Sequence, residues 1–322
     1  MPSAFGLDSA VDTTAATTKR DVMEKRRLGK TDMDVTVLGF GGSEIGYEET
    51  PDETVAELLN GALDAGLNVI DTAECYRGSE EMIGRAISHR RKEFYLFTKC
   101  GHPHGAESGA DWSRDSLLES IQRSLKRLKT DKVDIIQLHS CSESELREGE
   151  AIDALQTARE RGYARYIGYS GDGRAAHYAV ECGAFDILQT SINIADQEAI
   201  DLTVPLARQK QMGVIAKRPL ANAAWKTGHK PIDSYQHEYW ERLRKLNYDF
   251  LRHSDLERTI AIALRFTLSV PGVHTAIVGT SKPDRLKQNA KYLEAGPLSE
   301  EEYNAIRQRW EDVAPRIWVG QV

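Results

Sequence analysis

No apolar run in this chain approaches the roughly 18 residues that a bilayer-spanning helix needs. The first 23 residues, rich in Ala, Thr, Ser and Asp, carry neither the apolar core of a signal peptide nor an Arg-rich amphipathic pattern. They read as a flexible extension ahead of one folded domain spanning residues 24–322, and the expected address is cytoplasmic, with no membrane partner. Positive charge is also scarce: 42 Lys and Arg stand against 49 Asp and Glu, a net charge of −7. That disfavours nucleic acid or an anionic membrane surface as the main partner and leaves a small molecule.

Close cysteine pairs are missing too. Cys75, Cys100, Cys141 and Cys182 do not form the spacing of a zinc site or a C-x-x-C redox pair. They are expected to be small buried thiols in a reducing compartment; the sharper readings are a redox-sensitive site or a Cys/His metal site with His139. No metal is expected. A Rossmann fingerprint is absent as well. Gly39-Phe40-Gly41-Gly42 and Gly168-x-x-Gly171-x-Gly173 are glycine-rich, but neither spells G-x-G-x-x-G.

What the chain does have is alternation. After a hairpin over 28–38, strand-like runs near 35–40, 67–71, 94–99, 133–139, 165–170, 185–190, 213–217 and 274–278 alternate with helix-like segments. Those segments lie near 51–63, 79–89, 114–128, 149–161, 173–182, 200–211, 255–269 and 282–293. Capping boxes open the first helix at Thr50-Pro51-Asp52-Glu53 and a C-terminal helix at Ser299-x-x-Glu302. Eight βα units without a low-complexity linker predict one (β/α)₈ TIM barrel, with a long insertion after the seventh strand near 222–252 and the extra C-terminal helix.

Polar residues end several of the apolar runs. Asp71 closes Leu67-Asn68-Val69-Ile70, Lys99 closes Phe94-Tyr95-Leu96-Phe97-Thr98, and His139 closes the run from Val133 to Leu138. Tyr76 follows Asp71 by five residues, and Ser170 and Gln189 end two further runs. In a barrel these strand ends converge at the C-terminal face, where catalysis is placed. A phenol near pH 10 is too weak an acid to donate readily at neutral pH. Lys99 beside it would lower that pKa, with Asp71 holding the ammonium and His139 orienting a substrate oxygen. A shift of about two units corresponds to roughly 2.7 kcal/mol. These are parts for protonating a carbonyl while hydride arrives at carbon, so a nicotinamide cofactor is implied.

The same residues carry a family resemblance. The segment from Asp71 to Gly84, the Leu38-Gly39-Phe40-Gly41 start, Thr98-Lys99, Asp134 to Leu138-His139 and Ile167-Gly168-Tyr169-Ser170 resemble the aldo-keto reductase pattern, in order, from about residue 25 to 293. The resemblance implies an NAD(P)H-dependent carbonyl reductase, or the reverse alcohol or sugar oxidation. Tyr76 is then the general acid, Asp71 and Lys99 its tuners, and His139 the substrate-orienting group. Cofactor contacts are implied at Gly41, Gly42, Asp71, Ser170, Gln189, Lys217, Arg218, Pro219 and Leu220. They continue through Gly279-Thr280-Ser281-Lys282 to Arg285, Gln288 and Asn289, where a helix N-terminus suits phosphate. The family places the adenosine 2′-phosphate there, which favours NADP(H) over NAD(H).

Three places depart from the family pattern, and Gly279 is one, standing where some relatives carry a phosphate-binding lysine. Ser170-Gly171 stands where Ser-Asn is usual, with Asp172 a candidate substitute. Ala216-Lys217-Arg218-Pro219-Leu220 stands where an aromatic followed by Ser-Pro-Leu is usual. Other readings are a non-catalytic cofactor-binding redox sensor or regulatory subunit of the same fold, and a metal-dependent hydrolase barrel. His102, His104 and several tryptophans are background candidates for the substrate mouth.

Overall fold

The computed structural model describes residues 23–102, 111–252 and 255–321. His104 and nearly all of the expected N-terminal extension lie outside the described residues.

Eight parallel strands close into a barrel: β3 (Leu38–Gly41), β4 (Val69–Asp71), β5 (Tyr95–Cys100), β6 (Val133–His139), β7 (Ala164–Ser170), β8 (Ile187–Ser191), β9 (Gly213–Lys217) and β10 (Thr275–Gly279), with β10 pairing back onto β3. A separate antiparallel hairpin, β1 (Lys25–Arg27) and β2 (Asp34–Thr36), precedes them. The hairpin takes Val35 and Thr36, which the apolar pattern assigned to the first barrel strand. Its buried Leu28, Met33 and Val35 join Val69, Phe97, Ile135, Ile187, Ile215 and Ile277 in one apolar cluster. The hairpin therefore plugs the N-terminal end of the barrel with its own side chains.

Side chains on a strand alternate between faces, so the residue two further on points the same way. Two steps beyond Val69, Phe97, Ile135, Ile187 and Ile215 lie Asp71, Lys99, Gln137, Gln189 and Lys217, all buried. An apolar floor and a polar layer above it thus come from one register. Gln137 was not singled out from sequence, because a lone polar residue inside an apolar run carries no distinctive spacing.

Most helices follow their stripes. Asp52–Asp64 buries Val55, Leu58, Leu59, Ala62 and Leu63, the i, i+3, i+4, i+7 face. Its expected capping box does not form. Pro51 is the N-cap, so the helix starts one residue late for Thr50, whose buried hydroxyl has no partner. The box at Ser299 and Glu302 does form and opens Glu300–Val313. The expected helix near 200–211 is broken into Glu198–Leu202 and Val204–Gln209, because Pro205 fits only the first turn of the second piece. Likewise Gly149, at φ 89°, separates Glu143–Glu148 from Glu150–Glu160. No helix among the described residues is long and apolar enough to cross a membrane.

The helix Ser79–Ile87, which follows the Tyr76 loop, packs closely on the end of Arg114–Leu128. A Cβ added at Gly84 would lie 2.2 Å from the Arg127 carbonyl oxygen and 3.0 Å from Leu128 backbone atoms. Backbone cannot yield there. Gly84→Ala is expected to lower stability by about 1–3 kcal/mol, read as an earlier urea midpoint. An unchanged midpoint would mean that the two helices slide apart freely.

Candidate active site

Asp71, ending β4, is the centre of the polar layer. Lys99 donates through Nζ to Asp71 Oδ1 at 2.5 Å and to the Thr72 carbonyl at 2.9 Å. The other carboxylate oxygen accepts from Gln189 Nε2 at 2.8 Å and from Gln137 Nε2 at 3.4 Å. Ser170 Oγ in turn donates to Gln189 Oε1 at 3.1 Å, across the aligned ends of β7 and β8. Lys99 and Asp71 are each 1% exposed. A buried ion pair persists only when its remaining hydrogen-bonding capacity is met, and four strands supply the partners here.

Tyr76 lies in the loop after β4, with Ser79 N donating to its carbonyl at 2.7 Å as the next helix begins. Its half-buried ring stands edge-on to His139, at 5.7 Å between centroids, and the Lys99 ammonium lies 5.1 Å from the ring centre. The four residues expected to act together are thus brought together. Their electrostatics differ from the expectation in one respect. Burial, joined by the Asp71 carboxylate, raises the Tyr76 hydroxyl well above its usual range. The Lys99 charge is directed at Asp71 and Thr72, so it does not offset the loss of hydration. Tyr76 is accordingly a protonated phenol at neutral pH, as a proton donor must be.

His139 ends β6. Burial first, then the charges of Lys99 and Lys217, hold its imidazole well below the ordinary histidine value. It is therefore neutral at physiological pH and carries a single N–H. Its Nδ1 lies 3.5 Å from the Cys75 sulfur, a thiol that burial pushes up to about 11 and so keeps protonated. His102 and Trp112 extend this wall: His102 stands edge-on to His139 at 5.6 Å and to Trp112 at 5.3 Å. Cys75, Cys100, Cys141 and Cys182 are free; Cys100 and Cys141 are buried and Cys182 is exposed. Among the described residues, no group of three or more His, Cys, Asp or Glu side chains is placed to hold a metal.

Two of the departures from the family pattern lie close in space, through Asp172 beside Gly171. Lys217 Nζ, at the end of β9, lies 2.9 Å from Asp172 Oδ2, with side chains 11% and 2% exposed. Asp172 Oδ1 also accepts from Thr190 Oγ1 at 2.7 Å and from Ser191 N at 2.6 Å. Arg218 follows with φ 56°, a left-handed conformation uncommon for arginine. Its guanidinium donates to Ser191 Oγ at 2.8 Å, the Tyr235 hydroxyl at 2.6 Å and the Gln321 carbonyl at 2.5 Å. The chain end is fastened further by Arg242 on the Val319 carbonyl at 2.7 Å and by Gly320 N on Glu198 at 2.9 Å. Insertion and tail therefore cover one side of the barrel mouth. Sequence alone did not show that the tail would reach Arg218. Pro219 is buried and its carbonyl accepts from Thr267, while Leu220 packs between the two main apolar clusters.

Gly41 and Gly42 follow β3 beside Asp71. Gly42 N donates to the Asp71 carbonyl at 2.8 Å, and a Cβ there would meet Ser79 Oγ at 2.7 Å. The Gly279–Lys282 loop adjoins them and runs into the helix Arg285–Leu293. Asn289 is fully buried, yet among the described residues neither its carboxamide oxygen nor its nitrogen has a partner. Such atoms are costly unless something else satisfies them, and they suit the edge of a base. Lys282 and Gln288 are exposed and Arg285 is half-buried. Two carboxylates also approach this loop: Glu48 accepts from Ser281 Oγ, and Glu44 packs so closely on Gly279 that no Cβ fits. Burial raises the Glu44 carboxyl, which reduces its opposition to a phosphate. The residues present fit a dinucleotide.

Comparison with known proteins agrees with this geometry. The family model "Aldo/keto reductase family" matches residues 37–311. The uncharacterized oxidoreductase YqkF of Bacillus subtilis is 31% identical, over 88% of this chain and 96% of that one. L-galactose dehydrogenase of Arabidopsis thaliana is 28% identical, over 92% of this chain and 97% of its own. The holo form of aldo-keto reductase AKR11C1 from Bacillus halodurans superposes with a TM-score of 0.78 at 28% identity, covering 89% of this chain and 96% of that one. With an eight-stranded barrel, a buried Asp–Lys pair beside a tyrosine and a histidine, and a family match along most of its length, the chain belongs to the aldo/keto reductase family and is a nicotinamide-dependent oxidoreductase.

Proposed function

We propose that this protein reduces aldehydes or ketones with NADP(H), preferred over NAD(H), and that Tyr76 delivers the proton; the same groups serve the reverse oxidation of alcohols or sugars. The observation that carries this reading is the convergence of Tyr76, Lys99, Asp71 and His139 at one barrel mouth. The bound nicotinamide would supply hydride, chemistry that no side chain possesses.

The chain's own residues do the rest. His139, neutral and with Nδ1 turned to the Cys75 thiol, can present an Nε2–H to a substrate oxygen. Tyr76 then gives up its hydroxyl proton as negative charge develops on that oxygen. Lys99, 5.1 Å from the ring centre, is a nearby cation for the phenolate that results, and Asp71 keeps the ammonium in place. Gln189 and Gln137 hold Asp71, so the arrangement does not depend on one rotamer. Gln189 and Ser170 are also assigned to the carboxamide of the nicotinamide. Gly41, Gly42, Lys217, Arg218, Pro219 and Leu220 line its seat, and Gly279 to Lys282, Arg285, Gln288 and Asn289 hold the adenosine half. The preference for NADP(H) rests on Lys282 and Arg285, which form no ion pair among the described residues. We further take residues 24–322 as one barrel domain acting in the cytoplasm.

Titration with NADPH followed by fluorescence, then NADPH consumption with a panel of aldehydes, tests the reading. Binding with turnover is expected. In the same titration Arg285→Ala should weaken NADPH about tenfold while leaving NADH within twofold, the loss of one charge-assisted contact. Equal losses for both cofactors would place the 2′-phosphate elsewhere. Binding without turnover on any carbonyl would favour the sensor reading.

A further inference from the structure

The buried ion pair joins Lys217, one of the departing positions, to Asp172, the neighbour of the departing Gly171. We propose that this pair makes the site discriminate between oxidation states of the nicotinamide, holding the neutral reduced form more tightly than the cationic oxidised form. The inference rests on the nicotinamide reading above and deepens it by addressing which form of the cofactor the site holds.

Four observations support it. Lys217 is the inward residue two steps beyond Ile215, in the same layer as Lys99 and Gln189, so its ammonium belongs to the barrel mouth. It replaces an aromatic ring, which would stack on either form of the cofactor, by a fixed positive charge. Its one carboxylate partner, Asp172, is shared with Arg218, whose Nη1 lies 3.6 Å from the same oxygen. Lys99, Lys217 and Arg218 thus bring three cationic side chains to this mouth, with Asp71 and Asp172 as the carboxylates they face. A cationic pyridinium ring is repelled by such a group, whereas a dihydropyridine ring is not. The repulsion is strong because the site is desolvated.

The groups facing Lys217 are Asp172 after β7, Arg218 beside it, Lys99 on β5 and His139 on β6. Burial is the main cause that pulls the Lys217 ammonium down to about 8, and Asp172 opposes the fall. Below that pH Lys217 is charged and discrimination is present; above it the ammonium is lost and discrimination fades. In turnover the oxidised cofactor would leave readily after each reduction, which hastens that release step.

Dissociation constants for NADPH and NADP⁺ should be measured by fluorescence on the whole chain at pH 6.5 and pH 9. At the lower pH the wild type is expected to favour NADPH by about tenfold. That ratio should shrink toward unity at pH 9 through tighter binding of NADP⁺. Lys217→Met should give the small ratio at both pH values, and Lys217→Arg should keep the large ratio at both. Lys217→Gln, which keeps a donor for Asp172 without the charge, should give the same small ratio and guards against misfolding caused by a lone buried carboxylate. A wild-type ratio that ignores pH, or a Lys217→Met ratio equal to wild type, overturns the inference. Wild-type protein that binds neither form overturns the nicotinamide reading as well, so the two failures are distinct.

Discussion

Tyr76→Phe is expected to lose about a thousandfold in kcat for aldehyde reduction while binding NADPH as the wild type does, the scale of a lost general acid. The substitution deletes one oxygen and keeps the ring. The edge-on contact with His139, the neighbouring Tyr47 ring at 6.0 Å and the Lys99 ammonium over the face are all retained. Folding stability should therefore hardly change. Because the loss falls on proton transfer, KM should move little and kcat should carry the effect. A variant within tenfold of wild type would remove Tyr76 from the role and direct attention to His139.

The second large effect is on stability. Lys99→Met leaves the Asp71 carboxylate buried with only the amides of Gln189 and Gln137 as donors. Removing one partner of a buried pair costs about 3–5 kcal/mol, because the remaining charge is uncompensated. Urea unfolding should show that loss together with loss of turnover. Asp71→Asn/Lys99→Met, which removes both charges, should recover much of the stability and none of the activity. The two substitutions would then be strongly non-additive in stability. Additive losses would mean that the two side chains are stabilised independently.

Much of this site was legible in the sequence because a polar residue at the end of an apolar run has few structural explanations. Asp71, Lys99, His139, Ser170 and Gln189 all showed that signature, and all lie at the barrel mouth. Gln137 did not, since it sits one turn of the pleat lower, inside its run, and only the register with Lys99 reveals it. The Asp172–Lys217 pair was unreadable for a different reason. Its members are separated by the whole of β8, with Asp172 in the loop after β7 and Lys217 at the end of β9, so no local spacing encodes the contact. The rise of the Tyr76 pKa was hidden likewise: sequence places a cation nearby, while depth of burial is set by the surrounding loops. Helix stripes were read well, but their ends were not, as Pro51 and Pro205 show. In both cases a proline overrode a plausible pattern by fixing where a helix may begin.

The central claim is that hydride passes from a bound nicotinamide to a carbonyl carbon at this mouth. It is tested most directly with NADPH doubly deuterated at C4 of the nicotinamide and an aldehyde substrate, followed by mass spectrometry of the alcohol. The expected product is an alcohol with one deuterium on the carbinol carbon, formed by the wild type and about a thousandfold more slowly by Tyr76→Phe. Alcohol without deuterium, or label incorporated as fast by the variant, would contradict it.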